Sequence, residues 1–212
     1  MCARRNDDLD KPEWRARISR ARASISVQQR VSEARALIDV LVAQELPGTV
    51  CCYVPFGSEP GTVGWLDVLR GKGVSVLLPV ITGPDALDWA EYAGPASLEP
   101  GKIHGILEPS GPRLGPDALA RAGLVLVPAL AVDLTGVRLG RGAGHYDRSL
   151  PHASPDAALV AVVRDDELVE RLPAEEHDVR MTAALTPQQG LVPLPRDERL
   201  TLARHRPPRP DR

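Results

Sequence analysis

Thr49 to Val54 reads TVCCYV, a run with no charge and no polar alternation, bounded by Pro47-Gly48 on one side and Pro55 on the other. A strand with one wet face alternates apolar and polar residues. A run that is apolar at nearly every position needs cover on both faces, which is the mark of a strand inside an α/β sheet. The pattern recurs at Val74 to Leu78, Leu124 to Val127 and Leu159 to Val163. Weaker helical segments lie between, at Val63 to Arg70 and Pro116 to Ala122. Strand and helix thus alternate at the spacing of βαβ units. The expected fold is an α/β three-layer sandwich with a mostly parallel central sheet, Rossmann-like. Ligands of such open sheets bind outside the carboxyl ends of the strands. The loops that matter are therefore Pro55 to Thr62, Pro79 to Pro112 and Ala129 to Pro151.

Upstream, two helices are expected. Pro12 suits a first helical position, where its missing N–H costs nothing. Trp14, Ile18, Ala21 and Ile25 follow at spacings of three and four. Ser26 with Gln29 signals a capping box for the second helix, whose apolar face would be Val27, Val31, Ala34, Ile38 and Leu41. Between Lys11 and Arg35 there are seven basic residues and two acidic ones, Glu13 and Glu33. Lys11 and Arg15 lie four apart and share a helix face, and Arg22 continues that line. A solvated stripe is the ordinary explanation. The alternative sets Trp14 and Ile18 against the core and sends Lys11 and Arg15 toward bound phosphates.

The chain has 212 residues, 43% hydrophobic and 25% charged, with a formal net charge of -2. This suits one domain with an ordinary core and argues against wholesale disorder. Met1–Asp10 reads as a flexible start, Lys11–Leu194 as a single α/β domain and Pro195–Arg212 as a disordered basic tail. A near-neutral balance disfavours nucleic acid as a partner, because phosphate backbones call for an excess of Lys and Arg. The longest apolar stretch, Leu124 to Val132, is far short of the roughly 20 residues of a membrane helix. No apolar block follows Met1 to Asp10, so no secretory signal is expected and the localisation reads as cytoplasmic. Three cysteines, with Cys51 and Cys52 adjacent in an apolar run, make neither a disulfide framework nor a zinc site; these two read as small buried hydrophobes. The histidines form no metal-ligand motif, and no serine has a nucleophile-elbow context.

The chemistry concentrates in Arg138 to Arg148, RLGRGAGHYDR. Gly140, Gly142 and Gly144 let backbone N–H groups approach an anion without Cβ obstruction, and Arg138, Arg141 and Arg148 add positive charge. The loop leads into a helix start that adds its own N–H groups. It matches neither a Walker A loop nor a dinucleotide fingerprint. A glycine cluster alone equally suits a strained turn; the three arginines and the aspartate around it favour a phosphate cradle. Asp147 follows directly. It suits a magnesium ion on a nucleotide, or equally a capping or salt-bridging role. Asp178, in LPAEEHDVRM, is on its own an acidic turn. Glu59, just past the first strand, can accept paired hydrogen bonds from a heterocycle or cap a helix after Thr62.

These blocks resemble the 5-formyltetrahydrofolate cyclo-ligase (5,10-methenyltetrahydrofolate synthetase) family. Lys11-Pro12-Glu13-Trp14-Arg15 is similar to its N-terminal K-x-x-L-R. Glu59 to Thr62 resembles its Glu-x-x-Thr, Gly105 to Pro109 its G-x-x-E-P, and Gly123 to Arg148 its long glycine-rich signature. Leu172 to Asp178 is similar to L-P-x-E-x-H-D. The blocks occur in family order from Lys11 to about Gln188. His145 stands where the family usually has the first Tyr of Tyr-Tyr-Asp, and Val132 replaces a Phe. The resemblance implies ATP as co-substrate and Mg²⁺ as metal. Lys11, Arg15, Arg138, Leu139, Gly140, Arg141, Gly142, Ala143, Gly144, His145 and Tyr146 would contact ATP. Val54, Glu59 and the stretch Arg141, Gly142, Ala143, Gly144, His145 would contact the folate. Asp147 and Asp178 would serve the metal. The same scaffold type is that of sugar-phosphate isomerases and CoA-transferases.

The implied reaction closes 5-formyltetrahydrofolate to 5,10-methenyltetrahydrofolate, with ADP and phosphate released. Phosphorylation of the formyl oxygen followed by attack of N10 needs alignment and charge stabilisation rather than a protein nucleophile. Arg141 and Lys11 are the expected catalytic stabilisers of the γ-phosphate. A non-catalytic nucleotide or folate binder is the alternative, and an isomerase or acyl-CoA transferase a third. The chain is expected to act as a monomer or homodimer on a small molecule.

Overall fold

The computed structural model describes residues 9–195; the expectations placed on residues 1–8 and 196–212 lie outside them. In chain order come α1 (Lys11–Ala23), α2 (Val27–Val42), β1 (Thr49–Cys51), α3 (Gly64–Gly71), β2 (Ser75–Val80), β3 (Asp88–Glu91), β4 (Leu98–Pro100) and β5 (Leu107–Pro109). Then follow β6 (Leu124–Pro128), β7 (Ala131–Asp133), β8 (Arg138–Leu139), α4 (His145–Ser149), β9 (Ala158–Val162), β10 (Leu168–Val169), β11 (Ala183–Thr186) and β12 (Gly190–Pro193). Seven strands form one sheet in the order β12-β11-β9-β6-β1-β2-β3. The five inner strands run parallel, with Val50 of β1 level with Val76 on one side and Leu124 on the other. Both edge strands, β3 and β12, are antiparallel hairpin returns.

Continuous apolar strands are explained by where alternate side chains go. Val50, Val76, Leu78, Leu126, Val160 and Leu185 pack with Leu37 and Leu41 of α2 and with Trp65, Leu66 and Leu69 of α3. Cys51, Leu77, Val125, Val127, Ala161 and Ala184 face the opposite core, against Trp89, Ala118, Leu119 and Leu150. Each buried Leu stabilises the fold by about 1.5–3 kcal/mol relative to exposure. The second cover differs from expectation. Pro116–Arg121, expected as a helix, is a 3-10 turn, and Leu150–His152 beside it is another. Cys51 and Cys52 are fully buried, as expected, and burial pushes both thiols up, out of reach of nucleophilic chemistry.

A small sheet, β10-β7-β8, lies beside the main one, and α1 covers it: Trp14 and Ile18 pack on Leu130, Ala131, Val137, Leu139 and Leu172. The start of α1 is fixed by Asp10, whose carboxylate accepts from Glu13 N while Glu13 returns the bond to Asp10 N, a full capping box. At α2 only half of the expected box forms. Ser26 caps Gln29 N, but the Gln29 amide donates to Glu33.

The buried helix faces correct the apolar count. In α1, Arg22 is buried and Ala21 exposed. In α2 the inward residues are Ala34, Leu37 and Leu41, while Val27 and Val31 are exposed. Charged pairs turn these helices. Arg22 donates to both oxygens of Glu167, Nε at 2.6 Å and Nη2 at 2.7 Å, and Arg164 Nε donates to Glu33 at 2.7 Å. An apolar count cannot register a charge that goes inward to meet its opposite. Among the described residues no helix is long and apolar enough to cross a membrane.

Candidate active site

At the carboxyl ends of β1, β2 and β6, where the strand order reverses around β1, a cleft of about 610 Å³ opens. This is the crevice that an open α/β sheet offers to ligands, and its size suits a small molecule. Every residue that the sequence singled out for a site lines it: Lys11, Arg15, Val54, Glu59, Arg138 to Asp147, and Asp178.

The cationic wall comes from α1. Lys11 Nζ sits between Asp178, 3.1 and 3.0 Å from its two oxygens, and Glu175 at 3.2 Å. Asp178 also accepts from Glu175 N at 2.7 Å, so its carboxylate is held in place although residues 174–177 of the turn are exposed. Arg15 Nε donates to Gly140 O at 2.9 Å and so ties α1 to the glycine loop. The oxygens of Glu175 and Asp178 and a ring nitrogen of His177 lie within 4.8 Å of one another, a group able to hold a metal ion.

The loop from β8 to α4 forms the facing wall. Arg138 Nη2 donates to Asp147 at 2.8 Å, which realises the salt-bridging reading of Asp147; the N-cap of α4 is Gly144 instead. Gly144 has φ +71°, a left-handed backbone conformation that favours glycine. Arg148 braces this loop by donating to Ala143 O. Leu139 is buried in the small core, leaving only its main chain for a ligand. Arg141 is half exposed, donates to Glu59 at 3.0 Å and lies 5.6 Å over the Phe56 ring. Glu59 also accepts from Phe56 N, and α3 has no side-chain cap, so the helix-capping reading of Glu59 falls away. His145 Nδ1 lies 3.3 Å from Asp85 O.

The Tyr146 ring sits 5.7 Å from the Arg138 guanidinium, and its buried hydroxyl has no hydrogen-bond partner. Desolvation, then the Glu59 carboxylate, hold this phenol well above the usual range, so it stays a neutral donor. Two further buried nitrogens, Nε of Arg138 and Nη1 of Arg22, belong to cleft-lining residues and likewise have no partner. The remaining lining is apolar, from Phe56, Ile81, Leu87, Ile103, Ile106 and Leu107. Sequence reasoning missed these, and also Tyr53, Glu175 and His177. The last two sit in the LPAEEHD block that drew attention only to Asp178. Chemically, the cleft joins an anion-binding end to an apolar slot with a carboxylate, Glu59, on its wall.

A sequence model of the 5-formyltetrahydrofolate cyclo-ligase family matches residues 7–187. The 5-formyltetrahydrofolate cyclo-ligase of Mycolicibacterium smegmatis is 46% identical over 190 residues, covering 87% of this chain and 97% of the relative. That of Escherichia coli is 32% identical over 144 residues, 66% of this chain and 79% of the relative. Among solved structures, the Aquifex aeolicus 5,10-methenyltetrahydrofolate synthetase superposes with a TM-score of 0.74 at 26% identity, over 88% of this chain and 93% of that one. The Mycoplasma pneumoniae synthetase shares the fold, with a TM-score of 0.67 at 18% identity, over 83% and 98% of the two chains.

Proposed function

The chain belongs to the 5-formyltetrahydrofolate cyclo-ligase family, and from that premise we propose that it closes 5-formyltetrahydrofolate to 5,10-methenyltetrahydrofolate at the expense of ATP. One observation carries the reading. A single cleft holds Lys11, Arg15 and the glycine-arginine loop together with Glu59 and an apolar lining, and the Arg141–Glu59 bond marks where the two parts meet. An anionic chain and a flat heterocycle can therefore lie in it together.

The N-formyl oxygen is a poor leaving group. Transfer of the γ-phosphoryl from ATP to that oxygen breaks the β–γ bridge, releases ADP and leaves an iminium phosphate. The N10 lone pair then forms the new C–N bond, the C–O bond breaks, phosphate departs and the N10 proton goes to solvent. Alignment is worth most in the second step, because both groups belong to one molecule. In the first step the protein supplies preorganised positive charge. Arg141 is the exposed guanidinium of the loop, and Lys11 is aimed by Asp178 and Glu175. Arg15 and the N–H groups of Gly140, Gly142, Ala143 and Gly144 complete the cradle. Glu59 suits the amide and amino edge of the pterin, while Val54 and the apolar lining suit its faces.

The hard oxygen donors of Asp147 and Asp178 fit Mg²⁺, which when bound with a nucleotide offsets phosphate charge. Both residues line the cleft; Asp147 keeps its second oxygen outside the Arg138 contact, whereas both oxygens of Asp178 accept from Lys11, which would share this carboxylate with the ion. Arg138 serves by holding Asp147 rather than by meeting phosphate directly. The test follows the near-ultraviolet chromophore of the methenyl product. It should grow only when ATP, Mg²⁺ and 5-formyltetrahydrofolate are all present. No product with all three, or the same rate without ATP, refutes the reading.

A further inference from the structure

Arg22 is fully buried, yet it lines the cleft. Its Nε and one Nη2 bond go to Glu167, and Nη2 also donates to Ala129 O at 2.7 Å. The second amino group, Nη1, has no acceptor and is closed to water. Burial of an unpaired donor is costly, and such a group gains a whole hydrogen bond when an acceptor arrives. With its charge matched by Glu167, what Arg22 can offer a ligand is a directional donor rather than a free cation.

Its place in the cleft says which ligand. Arg22 is eleven residues beyond Lys11 on the same face of α1, about 16 Å along the helix axis. Lys11 and Arg15 engage Asp178 and the glycine loop, so the phosphate end lies there. Arg22 instead neighbours Ala129 and Leu130 at the end of β6, and lines the same cleft as Tyr53, Val54 and Glu59, which follow the end of β1. This is the carboxylate and apolar end.

We propose that Arg22 is a specificity residue for the folate: its Nη1 donates to a neutral acceptor of the substrate's conjugated heterocycle and takes no part in holding the nucleotide. The inference rests on the folate reading above. It adds to that reading a buried donor on α1 and gives this helix two tasks, nucleotide at its start and folate near its end.

The test is calorimetric titration of the whole chain with 5-formyltetrahydrofolate and, separately, with a magnesium complex of a non-hydrolysable ATP analogue. Arg22→Lys keeps a charge against Glu167 but cannot fork into the cleft. It should weaken folate binding about ten-fold, the usual cost of one unmet hydrogen bond, and leave the nucleotide affinity within about two-fold. Glu167→Gln disturbs the same ion pair while keeping the guanidinium, and should change folate affinity less than about three-fold. Should Arg22→Lys fail to fold, Arg22→Met in the Glu167→Gln background, compared with Glu167→Gln alone, isolates the same donor. Unchanged folate affinity without the guanidinium, an equal loss for the nucleotide, or an equal loss in Glu167→Gln overturns the role of Arg22. A wild-type protein that binds no folate overturns the functional reading itself, and this inference with it.

Discussion

Asp133→Asn keeps the shape of a side chain that is wholly buried at the end of β7 and removes its charge. One carboxylate oxygen accepts from Thr135 N at 2.8 Å, Thr135 Oγ1 at 2.8 Å and Val137 N at 2.9 Å; the other accepts from Leu172 N at 2.9 Å. These four donors are neutral and come from two segments that are distant in sequence. Charge roughly doubles the strength of such bonds, so three of them lose about 1 kcal/mol each. The new amide nitrogen faces the Leu172 N–H, donor against donor, at a further cost of about 1–3 kcal/mol. Relief from burying a charge offsets part of this, for a net loss of about 3 kcal/mol. In a chain of this size that is a fall of about 6–12 °C in melting temperature. Denaturant unfolding of both proteins at pH 7 measures it directly. A loss below about 1 kcal/mol would show that the carboxylate does not organise the β7–β8 turn that carries Arg138 into the cleft.

Three further outcomes are expected. Gly136→Ala should destabilise the fold by more than about 2 kcal/mol, since φ is +87° and the added Cβ would meet Met181 O at 2.6 Å, a backbone atom with nowhere to go; denaturant midpoints decide. Arg141→Ala should lower turnover by at least about 100-fold. It should cost less than about 1 kcal/mol of stability, because the Arg141 side chain is half exposed and Glu59 keeps its bond from Phe56 N; turnover within about three-fold of wild type would remove Arg141 from the chemistry. The pH dependence has a definite sign. Burial raises the Cys51 and Cys52 thiols from 9.0, raises the Tyr53 and Tyr146 phenols above 10.0, and takes Tyr92 to about 12. The folded state then keeps protons that the unfolded chain releases. Stability from these groups is complete below about pH 8, falls above about pH 9 and steepens above pH 10, at up to about 1.4 kcal/mol per pH unit for each group. Unfolding free energies that stay level from pH 8 to 11 would contradict it.

The sheet was legible because its signal is redundant: four runs apolar on both faces allow little but a covered parallel sheet. Glycines and arginines crowded before Asp147 likewise marked one wall of the cleft, and the spacing of Lys11 and Arg15 the other. What stayed hidden depends on contacts between distant segments. Arg22 and Glu33 turn inward because Glu167 and Arg164 wait there, more than 120 residues away in each case. Ala21, Val27 and Val31 were misplaced for the same reason. Strands β3 and β12 are only four residues each, β3 with charged ends and β12 bounded by Gly and Pro, so their pairing is decided by their neighbours rather than by their own composition. The turn Pro116–Arg121 has helical composition but only six residues, too few for helix propensity to prevail. In the cleft, polar residues could be nominated one by one, whereas Ile103, Ile106 and Leu107 look like any other apolar residues until the fold gathers them.

The attachments of α1 carry a consequence for biosynthesis. Its side chains bond to Gly140, Glu167 and Asp178, at separations of 125, 145 and 167 residues. Contacts so remote incur the largest loop-closure cost and form late. Although α1 precedes every strand in sequence, it is thus among the last elements to dock, and a nascent chain stopped short of residue 178 lacks β11, β12 and the Asp178 side of the cleft. The cleft is therefore completed only after residue 178 has been made, so shorter nascent chains should hold no ligand there.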